Sequence, residues 1–162
     1  MKLPKEYVAT FRLGLESSSH DIEGAVTVKK EFAIPTREDI ENVLQKFRGA
    51  VQQIPPQFSA VKRGGKKAYR EARAGREIKL EPREVTISKL ETIWYKFPLL
   101  TLGISCSSGT YVRALARDIG EALGTGAIMS QLRRETIGPY RLSDAVNLKD
   151  LNSRNLEKFV RS

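Results

Sequence analysis

The segment from residue 106 to 120, CSSGTYVRALARDIG, sets a thiol, two serines, two glycines, a tyrosine and two arginines where a strand turns into a helix. The first turn of a helix leaves backbone N–H groups free and carries the positive end of the helix dipole, so it suits a phosphate or a carboxylate. Gly109 lets a backbone or ligand approach closely. If Val112, Leu115, Ile119 and Leu123 form the buried stripe, Tyr111 and Arg113 fall in the first turn and are free to face a ligand. The same residues also read as a tight strand-to-helix turn capped by serine, with Arg113, Arg117 and Glu121 as a solvated charge ladder.

A second group lies between residues 62 and 73. Lys62, Arg63, Lys66, Lys67, Arg70 and Arg73 surround Tyr69, with Glu71 the one acidic residue among them. A glycine-bearing loop of that charge can follow a phosphate backbone while the tyrosine packs or stacks. It is equally consistent with a basic surface hairpin that has no partner. Other chemistry is sparse: there is no P-loop and no GxGxxG, and His20 beside Asp21 reads as a solvated pair in a polar loop. Cys106 falls on the apolar side of its strand, which argues against a nucleophilic thiol.

The totals narrow the choice. With 162 residues the chain can form one domain with a real core. Its 28 Lys and Arg against 19 Asp and Glu give a net charge of +9, which favours a polyanionic partner, nucleic acid first. One cysteine and one histidine exclude an internal disulfide framework and leave too few ligands for a zinc site. No apolar run approaches the roughly 18 residues of a membrane span, and MKLPKEY lacks the apolar core of a signal peptide, so a cytoplasmic location is expected.

These residues need elements to hold them. Residues 6–16, EYVATFRLGLE, alternate as a half-buried strand, followed after a polar loop by a second, AVTVKKEF, antiparallel to it. Ile40, Val43, Leu44 and Phe47 mark one helical face, with Thr36 to cap the helix and Gly49 to stop it. QQIPPQFSAVKRGGKKAYREARAGR opens with two prolines and carries a Gly-Gly pair, so it is expected to begin as a loop and to form a short helix from near Lys67 to Gly75. REVTISKLETIWYKF and LLTLGISCS read as strands. A long helix is predicted from about Thr110 to Leu123, a short one from about Ala127 to Arg134, and one more in the tail. The residues alone support a basic RNA or DNA binder of mixed α and β class.

Four blocks, taken in order, resemble the TruB family of RNA pseudouridine synthases: KEYVATFRLG with SSSHDIEG after it, IPPQFSAVKRGGKKAYREARAG, CSSGTYVRALARDIGEALGTGA, and LRRETIGPY. The resemblance covers nearly the whole chain and implies an α+β fold, a mixed and mainly antiparallel sheet with flanking helices. It implies conversion of the tRNA T-loop uridine to pseudouridine, with the base detached from C1′ and rejoined through C5, and no metal or cofactor. The base must first be flipped from its stack. Tyr7 would lie against that base, Tyr111 would enter the pocket, Leu132 would line it, and Arg113 would pair with the catalytic aspartate and hold it ionised.

The chain departs from the family pattern at one point that matters. The aspartate of the family sits in a GTLDP-type motif upstream of the first block, and no Asp of these 162 residues precedes a proline. Asp21 fits a family slot that is not the nucleophile's, and Asp118 is expected to face outward from its helix. The 162 residues are therefore expected to be one partial catalytic domain, without the family's N-terminal strands and without a PUA domain, exposing a sheet edge. The mate of Arg113 is expected from a complementary segment, and the chain alone is expected to be inactive. An RNA-binding or scaffold module that recognises the tRNA T-arm without chemistry is the alternative.

Overall fold

The computed structural model describes residues 3–59, 62–63, 66–67 and 80–151. Its centre is an antiparallel sheet of six strands: β1 (Lys5–Leu13), β4 (Gly49–Gln53), β7 (Arg83–Lys96), β8 (Leu99–Cys106), β9 (Ala127–Ile137) and β10 (Tyr140–Arg141). Their spatial order is β10-β9-β1-β8-β7-β4. Two small ribbons complete the strands: β2 (Leu15–Ser17) with β3 (Val26–Val28), and β5 (Lys62–Arg63) with β6 (Lys66–Lys67).

Period-two patterning places the core. Ala9 and Phe11 of β1, Leu100, Leu102 and Ile104 of β8, and Ile87 and Leu90 of β7 point to one face, where all are buried. Two helices cover that face. In α1 (Arg37–Gln45), Ile40, Val43 and Leu44 are buried at helical spacing. Thr36 accepts from the Asp39 amide while Asp39 accepts from the Thr36 amide, a reciprocal cap that fixes where the helix starts. In α2 (Val112–Ala122), Val112, Leu115, Ala116 and Ile119 enter the same core. Burial of each large apolar side chain contributes about 1.5–3 kcal/mol.

The contact of α2 with β9 is close enough to require glycine. A Cβ on Gly120 would lie 2.2 Å from the Ala127 backbone nitrogen. That proximity turns the chain directly from helix into strand, and the Gly126 and Thr125 amides both donate to the Gly120 carbonyl.

Two sequence-based expectations change. The segment from Ala127 to Arg134, predicted as a short helix, is the first part of β9, because it closes one side of β1 through a long antiparallel ladder. The expected strand over 6–16 is broken at Gly14, whose φ of +83° bends the chain, so only Leu15–Ser17 pairs with the following segment. In the tail, the described residues form two short 3-10 turns, Leu142–Asp144 and Leu148–Asp150, and residues 152–162 of the stretch expected to hold one more helix lie outside the described residues. The helix expected near Lys67 falls outside the described residues, apart from Lys67 itself, which ends β6. No helix among the described residues is long and apolar enough to cross a membrane.

Candidate functional site

The strand β8 delivers the chain to α2 through a turn fixed by its own polar groups. The Ser107 amide donates to the Thr86 carbonyl, the Thr86 amide donates to the Ser107 hydroxyl, and the Thr110 hydroxyl donates to the Ser107 carbonyl. Serine thus holds the turn to β7 and does not cap the helix. Tyr111 is the N-cap residue, and no side-chain bond of its own serves there. Gln53, at the end of β4 and 2% exposed, meets the Tyr111 backbone with both ends of its amide. The Tyr111 amide donates to Gln53 Oε1 at 2.8 Å, and Gln53 Nε2 donates to the Tyr111 carbonyl at 3.1 Å. Sequence reasoning missed Gln53, which read as one polar residue in a loop-like run.

Arg113, the second residue of α2, reaches across two loops. Its Nη1 donates to the Asp21 carboxylate at 3.0 Å and to the Ser19 carbonyl at 3.3 Å, while Nη2 donates to the Phe58 carbonyl at 2.7 Å. The Asp21 and Arg113 side chains are 11% and 24% exposed. The expectation that this chain supplies no carboxylate for Arg113 is thereby corrected: Asp21 is its partner, brought from 92 residues away. Burial works against the charge on Asp21, but the Ser19 hydroxyl, the Glu23 amide and the Arg113 guanidinium outweigh it and hold the carboxyl below the usual carboxylate range. His20 beside it adopts φ of +62°, and burial, with Arg117 and Arg113 nearby, depresses its pKa. The pair read as solvated is therefore part of a folded loop.

That loop is anchored to the sheet. Met129 of β9 donates its amide to the His20 carbonyl at 3.0 Å, and the Ser17 hydroxyl donates to the Asp21 carbonyl at 2.7 Å. A cavity of about 390 Å³ opens here, lined by Ser18, Ser19, Asp21, Gly24, Phe58 and Arg113. One turn along α2, Arg117 bonds Asp118 and donates to the Ile54 carbonyl at 3.0 Å. Asp118, expected to face outward, has a side chain 23% exposed, and burial pushes its carboxyl above the usual range against the pull of Arg117.

Tyr7 and Leu132 occupy the other end of the same sheet face. In the β1–β9 ladder Tyr7 lies opposite Arg134, and Ala9 opposite Leu132. Burial raises the Tyr7 hydroxyl above its ordinary pKa, opposed by a hydrogen bond from the Arg134 side chain. Leu132 is 44% exposed and lines a second cavity, of about 470 Å³, with Arg134, Tyr140, Arg141 and Leu142. Among the described residues the two cavities share no lining residue. β1 connects them: Phe11 pairs with Met129 beside the Asp21 loop, and four residues of strand, roughly 13 Å, separate Phe11 from Tyr7.

Cys106 is buried and free, and burial raises its pKa, in keeping with a core thiol. Lys62, Arg63, Lys66 and Lys67 lie in the β5–β6 ribbon, Lys62 opposite Lys67 and Arg63 opposite Lys66. Tyr69, Arg70 and Arg73 lie outside the described residues.

Comparison with known proteins gives a consistent result. Residues 1–112 match the family model described as TruB family pseudouridylate synthase (N terminal domain), and residues 113–160 match the tRNA pseudouridylate synthase B C-terminal domain. The chain is 42% identical over 160 residues to a tRNA pseudouridine synthase B of Francisella philomiragia, covering 98% of this chain and 53% of that protein. It is 43% identical over 153 residues to one of Pseudomonas fluorescens, covering 94% of this chain and 50% of that protein. The chain thus spans about half the length of the relatives it matches. Among solved structures it resembles a chain in a Cbf5-Nop10-Gar1 complex, with TM-score 0.65 and 28% identity over 91% of this chain and 35% of that one. An H/ACA RNP bound to a substrate RNA containing 2′-deoxyuridine shares the fold, with TM-score 0.61, 23% identity, and coverage of 98% and 37%.

Proposed function

This chain belongs to the TruB family of pseudouridine synthases, and on that premise we propose that it is the part of a tRNA pseudouridine synthase that binds and orients the target uridine of the T-loop. The reaction breaks the C1′–N1 bond and forms C1′–C5; the C5 proton leaves and N1 takes one up. Nothing is oxidised or reduced.

One observation carries the proposal. Arg113 stands in the first turn of α2, in a cavity, with its guanidinium held by Asp21, Ser19 and Phe58. A guanidinium has five N–H donors in a fixed fork, and three bonds to described residues leave two for a further acceptor. A catalytic carboxylate supplied by a GTLDP-type segment outside these 162 residues would meet donors already oriented. Asp21 then serves as the structural counter-ion that lets the arginine stay charged in a partly covered site. Tyr7 lies against the flipped base, Leu132 lines its pocket and Tyr111 enters that pocket. The basic ribbon and the following stretch, Lys62, Arg63, Lys66, Lys67, Tyr69, Arg70 and Arg73, follow the phosphates of the T-arm. The cytoplasm, where tRNA is found, is the location this reading implies. Residues 1–162 form a partial catalytic domain in this reading.

A second reading is an RNA-binding module that recognises the T-arm without chemistry. It is favoured by the fact that Arg113 already has a carboxylate partner within the chain. Tritium release from tRNA carrying 5-tritiated uridine separates the two. The proposal predicts no release by the 162 residues alone and release once a segment bearing the GTLDP-type motif is supplied. Release at full rate by the chain alone refutes the assignment of the nucleophile to another segment. T-arm binding with no release under either condition establishes the module.

A further inference from the structure

We propose that Gln53 is a positioning residue for this reaction, setting the Tyr111 backbone and through it the Arg113 guanidinium; the assignment rests on the functional reading above. The geometry singles it out. Gln53 is buried on the last residue of β4, opposite Arg83 of β7, so its backbone is fixed by the sheet. Its carboxamide forms a two-point contact with the backbone of one residue, accepting from the Tyr111 amide and donating to the Tyr111 carbonyl, and so grips the peptide groups on both sides of that residue. Only a primary amide of this length offers a donor and an acceptor in that arrangement at every pH.

The contact falls where the helix is least secured by its own residues. Tyr111 makes no side-chain cap, and its carbonyl already accepts from the Leu115 amide, the first hydrogen bond of α2. Gln53 therefore ties that first turn to the sheet from outside the helix. It also begins a stretch that α2 grips twice more, through Arg117 on the Ile54 carbonyl and Arg113 on the Phe58 carbonyl. With Gln53 in place, Arg113 meets Asp21 and Phe58 together. Without it the first turn loses its tie to β4 and keeps only the packing of Val112 and Ala114, so Arg113 can shift while the rest of the buried stripe, from Leu115 to Ile119, still holds the helix to the sheet.

The test uses the whole 162-residue chain carrying Gln53→Met, which keeps side-chain length and removes the amide. Carbon-13 NMR of Asp21 and hydrogen exchange of the Tyr111 amide report on geometry without requiring turnover. The expected result is an Asp21 carboxyl that titrates at higher pH than in the parent and a Tyr111 amide that exchanges on the order of tenfold faster. An unchanged Asp21 titration overturns the proposal whatever the activity. If Gln53→Met does not fold, Gln53→Glu replaces it: the protonated carboxyl donates and accepts as the amide does, and the ionised one cannot donate to the Tyr111 carbonyl. The Asp21 signal must then follow the titration of the introduced carboxyl, and failure to follow it overturns the proposal. In the tritium assay with the supplied segment, kcat falls while KM for tRNA stays within about twofold. Absence of turnover in the parent sinks the functional reading, and the NMR result still decides whether Gln53 positions Arg113.

Discussion

Arg113 joins three parts of the chain that are far apart in sequence, since its guanidinium meets Ser19, Asp21 and Phe58. Removing either charge leaves the other in a partly covered site, so Asp21→Asn and Arg113→Ala should each cost about 1.5–3 kcal/mol in urea unfolding at pH 7. The pH dependence has a definite sign. The folded pKa of Asp21 lies below its unfolded value, near 3.9, so folding favours the ionised form and this contribution is present in full above that value. It fades as pH falls through the depressed folded pKa. The stability gap between the parent and Asp21→Asn should therefore narrow in unfolding curves recorded below about pH 4. A gap that stays constant into acid would remove Asp21 as the ionised partner. At this scale the sequence revealed residue types but not pairs. Arg113 was legible as a first-turn residue because the apolar stripe fixes the helix phase. Its pairing with Asp21 depends on a loop folding back over β9, which no local pattern encodes.

The α2–β9 junction shows what can and cannot be read at the level of elements. The stripe of α2 and the alternation of β1, β7 and β8 were legible because one buried face leaves a period of 3.6 or 2. β9 was not, because its register against β1 shifts twice, between Glu6 and Tyr7 and between Thr10 and Phe11, and these shifts break the alternation along the ladder. Its strand state is imposed by a partner more than a hundred residues away. Gly120 is the tight point of this junction. In Gly120→Ala the added methyl would meet the backbone of Gly126 and Ala127 at 2.4 and 2.2 Å, so helix and strand must separate. We expect a loss of about 3 kcal/mol by urea unfolding, typical of overpacking against atoms that cannot move aside. Gly124 is a useful control, since its φ of +72° makes substitution strained although no atom lies within 4 Å of the added Cβ. A loss at Gly120 no larger than at Gly124 would show that the close approach is not what holds α2 to β9.

For the molecule as a whole, the balance of 28 basic against 19 acidic residues sets the expectation for RNA. Binding to a T-arm hairpin should weaken on the order of 10²-fold or more between ~50 and ~200 mM salt, as for any association dominated by counterion release. Replacing Lys62, Arg63, Lys66 or Lys67 by Ala should lower the slope of log K against log salt by about 1 for each side chain that pairs with a phosphate. A slope unchanged by all four would place the RNA elsewhere. Among the described residues the sheet ends in β10 on one side and on the other in β4, the strand that carries Gln53. The central claim is that the arginine fork in α2, and not its charge alone, organises the site for uridine isomerisation. Arg113→Lys, assayed by tritium release with the GTLDP-bearing segment supplied, tests it directly because lysine keeps the charge and loses the fork. The account predicts a fall in kcat of at least about 10²-fold with T-arm affinity within about twofold of the parent. An unchanged kcat, or a loss of binding that alone explains the lost activity, would contradict it.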